Sequence, residues 1–177
     1  MPARILFLDS NHPILIRSLR ERGYTCDEDY ENPKAAVEEK ISGYDAVVIR
    51  SRFKIDKSFI DAAKNLKCIA RAGAGMENID VQYAESKNIR CVHAPEGNRD
   101  AVGEHAIGML LALMNNLTRA DRQVREGKWI REGNRGHELQ GKTVGVIGYG
   151  NMGTAFVQRL RGFDVRVCVH DKYKKNF

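Results

Sequence analysis

The sequence has 177 residues, 42% of them hydrophobic and 29% charged, which is typical of a globular protein. No apolar run approaches the roughly 20 residues that span a bilayer. No signal-type hydrophobic region follows Met1, so we expect a cytoplasmic protein without a membrane partner. The net charge of +6 comes from Lys and Arg residues mixed with acids along the chain, which favours anionic small ligands and predicts no nucleic-acid partner.

In chain order, the first 95 residues alternate short apolar strands with amphipathic helices. The patterns predict strands at Arg4–Leu8, Ala46–Ile49, Cys68–Ala70 and Cys91–Val92, and helices at Pro13–Gly23, Asn32–Ile41, Asp56–Leu66 and Val81–Lys87. Such alternation is typical of an α/β fold with a parallel sheet that helices cover on both faces.

The stretch from Asn98 to Leu117 is different, because it predicts a helix that is apolar on all sides from Ala106 to Met114. A helix without a polar face is expected to be buried between domains, in a subunit interface, or within its own chain. Gly103 and Gly108 would weaken an exposed helix and therefore suggest close backbone packing. A charged helix at Arg119–Glu126 and a polar loop from Lys128 to Gln140 follow.

Four cysteines, Cys26, Cys68, Cys91 and Cys168, are far apart and form no Cys-x-x-Cys pair. They are expected to be free thiols in a reducing compartment, with neither a disulfide nor a metal site.

A dinucleotide-binding fingerprint follows the strand Thr143–Ile147. Its glycines are Gly148, Gly150 and Gly153, and the pattern predicts a helix to Leu160 and a second strand, Val165–Val169, before Asp171. Gly148 would permit the turn, Gly150 the close approach of a pyrophosphate, and Gly153 the packing of helix on strand. The Asp171 carboxylate would bind the adenosine ribose and favour NAD over NADP. The positive charges of Lys172 and Lys174 would reduce that preference. Packing glycines beside a surface Asp are the alternative.

A second set of motifs makes the fingerprint more specific. Lys67–Asp80, which contains Gly73-Ala74-Gly75, resembles the substrate loop of the D-isomer-specific 2-hydroxyacid dehydrogenases. Asn98 with Ala101–His105 resembles that family's inter-domain helix, and Glu138–Thr143 the lead-in to its cofactor domain. Within the family, Arg50-Ser51-Arg52 is most similar to the D-3-phosphoglycerate dehydrogenases, which act at the entry to serine synthesis.

This resemblance implies an α/β fold of two parts. Residues 1–97 would form a flavodoxin-like substrate lobe, and residues 98–177 the inter-domain helix and the N-terminal part of a Rossmann NAD-binding domain, its first βαβ unit. That unit alone would leave apolar faces and a sheet edge uncovered. Family members pair through their cofactor domains, so the resemblance also implies a homodimer.

The resemblance further implies roles for individual residues. The backbone of Ala74 and Gly75 would hold the substrate carboxylate, with Ala74 also near the nicotinamide, while Asn98 would mark the domain crossing and Asn151 and Met152 would contact the pyrophosphate. Arg50, Ser51 and Arg52 would bind a phosphorylated hydroxy acid, because guanidinium groups bind phosphate bidentately. Three structural alternatives accompany these roles: surface ion pairs for the arginines, a tight turn for Gly73 and Gly75, and a helix cap for Asn98.

The family's catalytic Arg, acid and His match nothing in residues 1–177, so we expect an N-terminal part that is inactive by itself. His105 lies in an apolar helix and is interpreted as a packed residue rather than a catalytic one. Specificity for glycerate, lactate or hydroxypyruvate/glyoxylate stays open within the enzyme class. An NAD-sensing or dimerising module without catalysis is the alternative of a different class.

Overall fold

Residues 2–176 are described by a computed structural model, in which the chain divides into two compact units between Pro95 and Glu96. The described elements of the first unit are β1 (Arg4–Phe7), α1 (Pro13–Glu21), β2 (Thr25–Glu28), α2 (Lys34–Lys40), a 3-10 turn (Ile41–Gly43), β3 (Ala46–Ile49), α3 (Lys57–Ala62), β4 (Cys68–Arg71), α4 (Val81–Ser86) and β5 (Arg90–His93). Those of the second unit are α5 (Glu96–Met114), α6 (Leu117–Arg125), a 3-10 turn (Glu132–Asn134), β6 (Thr143–Ile147), α7 (Asn151–Leu160), a 3-10 turn (Arg161–Phe163) and β7 (Arg166–His170).

The first unit contains a parallel sheet with the strand order β2-β1-β3-β4-β5. This is the flavodoxin-like order, and the sequence prediction of such a lobe is confirmed. The chain adds β2 on one side of β1 and then β3 on the other, so the strand order reverses at this point. The carboxyl ends of β1 and β3 therefore flank the crevice in which such sheets bind ligands.

Alternating side chains divide the core of this lobe between the two sheet faces. Leu6, Val47 and Ile69 belong to the larger buried cluster, which also includes residues of α2, α3 and α4. Phe7 and Val48 point to the other face, where they pack with Ile16 of α1. Burial of a large aliphatic or aromatic side chain contributes about 1.5–3 kcal/mol, so both faces hold the strands in register.

Strand β2 has no counterpart among the predicted elements. Its sequence, Thr25-Cys26-Asp27-Glu28, is mostly polar because β2 is the edge strand beside β1, and only Cys26 is fully buried. Helix α3 is shorter than predicted: it ends at Ala62, and Leu66 reaches the core from the loop that follows.

In the second unit, β6 and β7 form a parallel pair with α7 between them in the chain, which confirms the first βαβ unit of a Rossmann fold. One face of this pair is uncovered within the described chain, as expected, since the Ile147 side chain is 91% exposed.

Helix α5 is not buried on every side within the described chain, so its burial between domains or in a subunit interface stays a prediction. Met109 is 57% and Leu113 76% exposed, and His105 is also exposed rather than packed. Close packing occurs at Gly103, where an added Cβ would lie 3.0 Å from the Ala155 backbone of α7, whereas nothing lies within 4 Å at Gly108. Helix α5 therefore uses its glycine side to pack on α7 and leaves much of its apolar surface open.

Candidate substrate loop and cofactor turn

The turn after β3 contains Arg50, Ser51 and Arg52 and lies beside the carboxyl end of β1. Asp9, just beyond β1, holds this turn through one oxygen: its Oδ2 accepts the backbone N–H groups of Arg50 at 2.6 Å, Ser51 at 3.2 Å and Arg52 at 3.4 Å. Sequence reasoning missed Asp9. An acid placed directly after a buried strand, at the edge where ligands bind, is the signal that identifies it.

The two arginines of this turn have different surroundings. The Arg52 guanidinium is largely buried and donates to the carbonyl oxygens of Leu8 (3.1 Å), Asp29 and Asn32, which lie near the ends of β1 and β2. Arg50 is exposed, and its guanidinium makes one long hydrogen bond of 3.5 Å to the Ser10 carbonyl. No acid within the described residues pairs with Arg50.

The glycine loop follows β4, the neighbour of β3, so both segments lie at the same edge of the sheet. The amide of Ala94 donates to the Gly73 carbonyl at 2.9 Å, and His93 Nδ1 lies 2.6 Å from the Ala74 carbonyl oxygen. The Asn78 side-chain amide donates to the Arg50 carbonyl at 3.3 Å and thereby joins the loop to the arginine turn.

Two buried polar atoms in this region, Arg71 Nε and Asn78 Oδ1, have no hydrogen-bond partner among the described residues. Buried polar groups are nearly always paired, so an ordered water, an ion or a ligand is expected to complete their hydrogen bonding. Cβ atoms at Gly73 and Gly75 would meet the ends of the Arg71 and Glu77 side chains at 1.7 and 2.1 Å. Because both are ends of flexible side chains that can move aside, these distances show that the two charged groups lie against the glycines but do not by themselves require glycine.

The predicted cofactor turn lies between β6 and α7. Gly148 has φ +93° and donates its amide to the His170 carbonyl at 2.7 Å, so the turn is fixed to the end of β7. An added Cβ at Gly153 would lie only 2.0 Å from the Gly148 carbonyl oxygen, a backbone atom that has little room to move. The first-turn N–H groups of α7, at Asn151, Met152 and Gly153, have no acceptor within the helix by geometry, which is the arrangement that binds pyrophosphate.

Asp171 lies at the end of β7, where the fingerprint requires its acid. Its Oδ1 accepts the N–H groups of Lys174 (2.9 Å) and Tyr173 (2.8 Å), and its Oδ2 that of Tyr149 (2.7 Å). These backbone hydrogen bonds, with that of Lys174 the largest cause, lower the pKa of Asp171 to about 2. The carboxylate is therefore ionised at neutral pH. Lys174 Nζ donates to the Tyr149 carbonyl at 3.0 Å, so the ammonium group of Lys174 is bound to the backbone of the turn.

The remaining candidates are outside these two clusters. Asn98 is exposed in the first turn of α5 and belongs to the second unit, inside the helix rather than at its cap. Among residues 2–176 no histidine pairs with a carboxylate, no helix is long and apolar enough to cross a bilayer, and no group of His, Cys, Asp and Glu could hold a metal ion. All four cysteines are free thiols.

Comparison with known proteins agrees with this geometry. The D-3-phosphoglycerate dehydrogenase of Archaeoglobus fulgidus is 44% identical over 134 residues, which cover 76% of this chain and 25% of that protein. The hydroxypyruvate reductase of Thermotoga maritima is 42% identical over 130 residues, covering 73% of this chain and 42% of that protein. The chain thus spans less than half the length of these curated relatives.

A solved structure of NAD-dependent formate dehydrogenase from Staphylococcus aureus, in complex with NAD, has a TM-score of 0.78 and 27% identity, and covers 96% of this chain and 56% of that one. The sequence profile of the D-isomer specific 2-hydroxyacid dehydrogenase catalytic domain matches residues 5–169, nearly the whole sequence. This chain therefore belongs to the D-isomer-specific 2-hydroxyacid dehydrogenase family.

Proposed function

We propose that the chain supplies the substrate loop and the adenosine side of the cofactor site of an NAD-dependent dehydrogenase for 3-phosphoglycerate, at the entry to serine synthesis. The observation that carries this proposal is the exposed guanidinium of Arg50, without an acid partner among the described residues, at the switch point between β1 and β3. A free guanidinium beside an anion-binding loop suits a substrate with both a phosphate and a carboxylate.

On the substrate side, the backbone of Ala74 and Gly75 holds the carboxylate, and Arg50 with Ser51 holds the phosphate. Arg52 has a different proposed role from the one its sequence suggests: its guanidinium is engaged by backbone carbonyls, so it fixes the turn instead of contacting the substrate. The orphaned buried atoms of Arg71 and Asn78 support a ligand in this loop.

On the cofactor side, the residues fit the adenosine half of NAD. Gly148, Gly150 and Gly153 form the turn, the α7 amides at Asn151 and Met152 take the pyrophosphate, and the ionised Asp171 binds the ribose. A negative carboxylate at this position disfavours the 2′-phosphate of NADP. When bound, NAD accepts a hydride from the hydroxy acid. The roles of Ala74 near the nicotinamide and of Asn98 at the domain crossing remain part of this proposal.

We also propose that these 177 residues alone do not turn over a hydroxy acid. The support is the family resemblance, which places the Arg, the acid and the His of the reaction outside the matched motifs. The free thiols favour a reducing compartment, and we assign the protein to the cytoplasm.

A titration of the chain with 3-phosphoglycerate, D-glycerate and D-lactate, followed by amide NMR, tests the substrate assignment. We expect 3-phosphoglycerate to bind more tightly than D-glycerate, and Arg50→Ala to remove that preference. Lys54→Ala is a matched control, because it removes an exposed cation just beyond the turn. Equal affinities for the phosphorylated and unphosphorylated acids, or a preference that survives Arg50→Ala, would contradict the assignment.

A dimerising NAD-binding module is the second candidate, and the exposed apolar side chains of α5 are compatible with its dimerisation. Met109 and Leu113 are too exposed for a helix that completes its packing within one chain. A homodimer formed through the second unit would bury them in either candidate function. Turnover by a longer product of the same gene would distinguish the enzyme from the module.

A further inference from the structure

We propose that Asp9 is a positioning residue for substrate specificity: it aligns Arg50 for phosphate and keeps external anions away from the backbone of the same turn. This inference rests on the proposed function, because it concerns how the phosphate reaches Arg50. The carboxylate touches neither the proposed substrate loop nor the guanidinium, and it acts through the backbone of residues 50–52.

Asp9 and Asn78 hold the backbone of the arginine turn. A single oxygen of Asp9 accepts three consecutive amides, and the shortest of these hydrogen bonds, 2.6 Å, is to Arg50. Hydrogen bonds to an ionised acceptor are shorter and about twice as strong as neutral ones. From the other side, Asn78 donates to the carbonyl oxygens of Arg50 (3.3 Å) and Phe53 (3.4 Å). Asp9 therefore holds the amides of the turn and Asn78 holds two of its carbonyls.

The amides of residues 50–52 also have an electrostatic role. Consecutive backbone N–H groups that converge on one point form an anion-binding concavity. In this protein the concavity is filled by the protein's own carboxylate. A phosphate that approaches the turn finds these amides engaged and a negative charge behind them, so the exposed side chains of Arg50 and Ser51 are the groups left to bind it. Asp9 thus directs the phosphate away from the backbone and toward these side chains.

Arg52 fixes the same turn through its side chain. Arg52 anchors the far end of the turn on the carbonyls of Leu8, Asp29 and Asn32. Because Asp9 also accepts the Arg52 amide, the same residue is fixed at its backbone and at its side chain. The exposed Arg50 side chain is therefore presented from a turn that is fixed at both ends, which is the arrangement that gives a binding group its selectivity.

The test compares Asp9→Ala, Asp9→Asn and a matched control in the full 177-residue chain. Asp45→Ala is the control, since Asp45 Oδ2 likewise accepts a backbone amide, that of Arg4 at 2.9 Å, but before β3 at the opposite sheet edge. The first readout is the affinity for 3-phosphoglycerate divided by that for D-glycerate. The second is the NMR shift of the Arg50 and Ser51 amides when inorganic phosphate is added.

We expect Asp9→Ala to lower the affinity ratio about tenfold and to make both amides respond to phosphate. Asp9→Asn retains an acceptor oxygen and should keep the ratio within about threefold of the original protein. Asp45→Ala should leave the ratio and the amide responses unchanged, although it lowers the unfolding temperature.

The inference is overturned if Asp9→Ala keeps the ratio while Arg50→Ala abolishes it, in which case the proposed function stands. If the unsubstituted chain shows no preference, or Arg50→Ala leaves the preference intact, the proposed function itself is wrong. In that case only the amide NMR shifts test Asp9. If the Arg50 and Ser51 amides of Asp9→Ala do not shift when inorganic phosphate is added, the shielding role of Asp9 is refuted.

Discussion

Replacing Asp29 by Asn is expected to remove about 2–3 kcal/mol of folding stability at neutral pH. The Asp29 side chain is only 4% exposed and lies 2.5 Å from Lys40 Nζ and 3.8 Å from Arg52 Nη1. Burial by itself raises the pKa of Asp29. Hydrogen bonds from Lys40 and Asn32 and the charge of Lys40 outweigh that effect and lower the pKa from 3.8 to about 2.

The magnitude follows from that pKa. A tenfold change in an acid's ionisation equilibrium corresponds to about 1.4 kcal/mol, so lowering the pKa of Asp29 from 3.8 to about 2 corresponds to about 2–3 kcal/mol. Because the pKa is lower in the folded protein, this stability is fully present well above pH 3.8 and is lost as the pH falls toward 2. The original protein and Asp29→Asn should therefore differ at pH 7 and converge near pH 2.

Urea unfolding followed by circular dichroism, repeated between pH 7 and pH 2, measures both quantities. Asp56→Asn is the matched control: the pKa of Asp56 is also about 2, but its side chain is 49% exposed and its partner is Lys34. Solvent screening reduces the expected loss there to less than about 1 kcal/mol, and Asn remains a good N-cap for α3. Equal losses for the two variants, or an Asp29→Asn deficit that persists unchanged at low pH, would refute this reasoning.

Three further outcomes are expected. Gly153→Ala places a Cβ 2.0 Å from the Gly148 carbonyl oxygen; it should destabilise the second unit by about 1–3 kcal/mol and abolish NAD binding, as thermal unfolding with and without NAD would show. Asp171→Ser removes the ionised carboxylate and should raise the affinity for NADP relative to NAD, and an unchanged ratio in paired titrations would contradict this. Met109→Glu with Leu113→Glu alters side chains that are 57% and 76% exposed; it should convert a dimer to a monomer in sedimentation equilibrium while changing monomer stability by less than about 0.5 kcal/mol per site.

The sequence predicts the fold well wherever hydrophobic periodicity is strong. The strands β1, β3, β4 and β6 and their parallel arrangement follow from apolar runs that need both faces covered. Strand β2 does not follow, because an edge strand with one buried side chain has neither alternation nor a continuous apolar run. The exposure of α5 could not be predicted either, since an apolar helix shows that it needs a partner but not which chain provides it.

Some parts of the candidate site can likewise be predicted from the sequence and others cannot. The glycine turn and Asp171 depend on local backbone geometry, which a short motif specifies, and the structure places them at the ends of β6 and β7. The roles within the arginine turn depend on groups about 40 positions away, such as Asp9 for the amide of Arg50. Side chains that are adjacent in the sequence, such as Arg50 and Arg52, then have different surroundings, and only the three-dimensional structure distinguishes them.

The anchoring of Arg52 links the proposed substrate site to an edge strand of the sheet. Two of its three carbonyl acceptors, those of Asp29 and Asn32, follow β2, which has a single buried side chain to hold it. Edge strands of this kind open locally at a lower free energy than the core. Apparent affinity scales with the fraction of molecules in the competent state, so opening of β2 in half of them would weaken substrate binding about twofold. We therefore expect affinity to decline on heating before the lobe unfolds, and substitutions in β2 to change it from a distance.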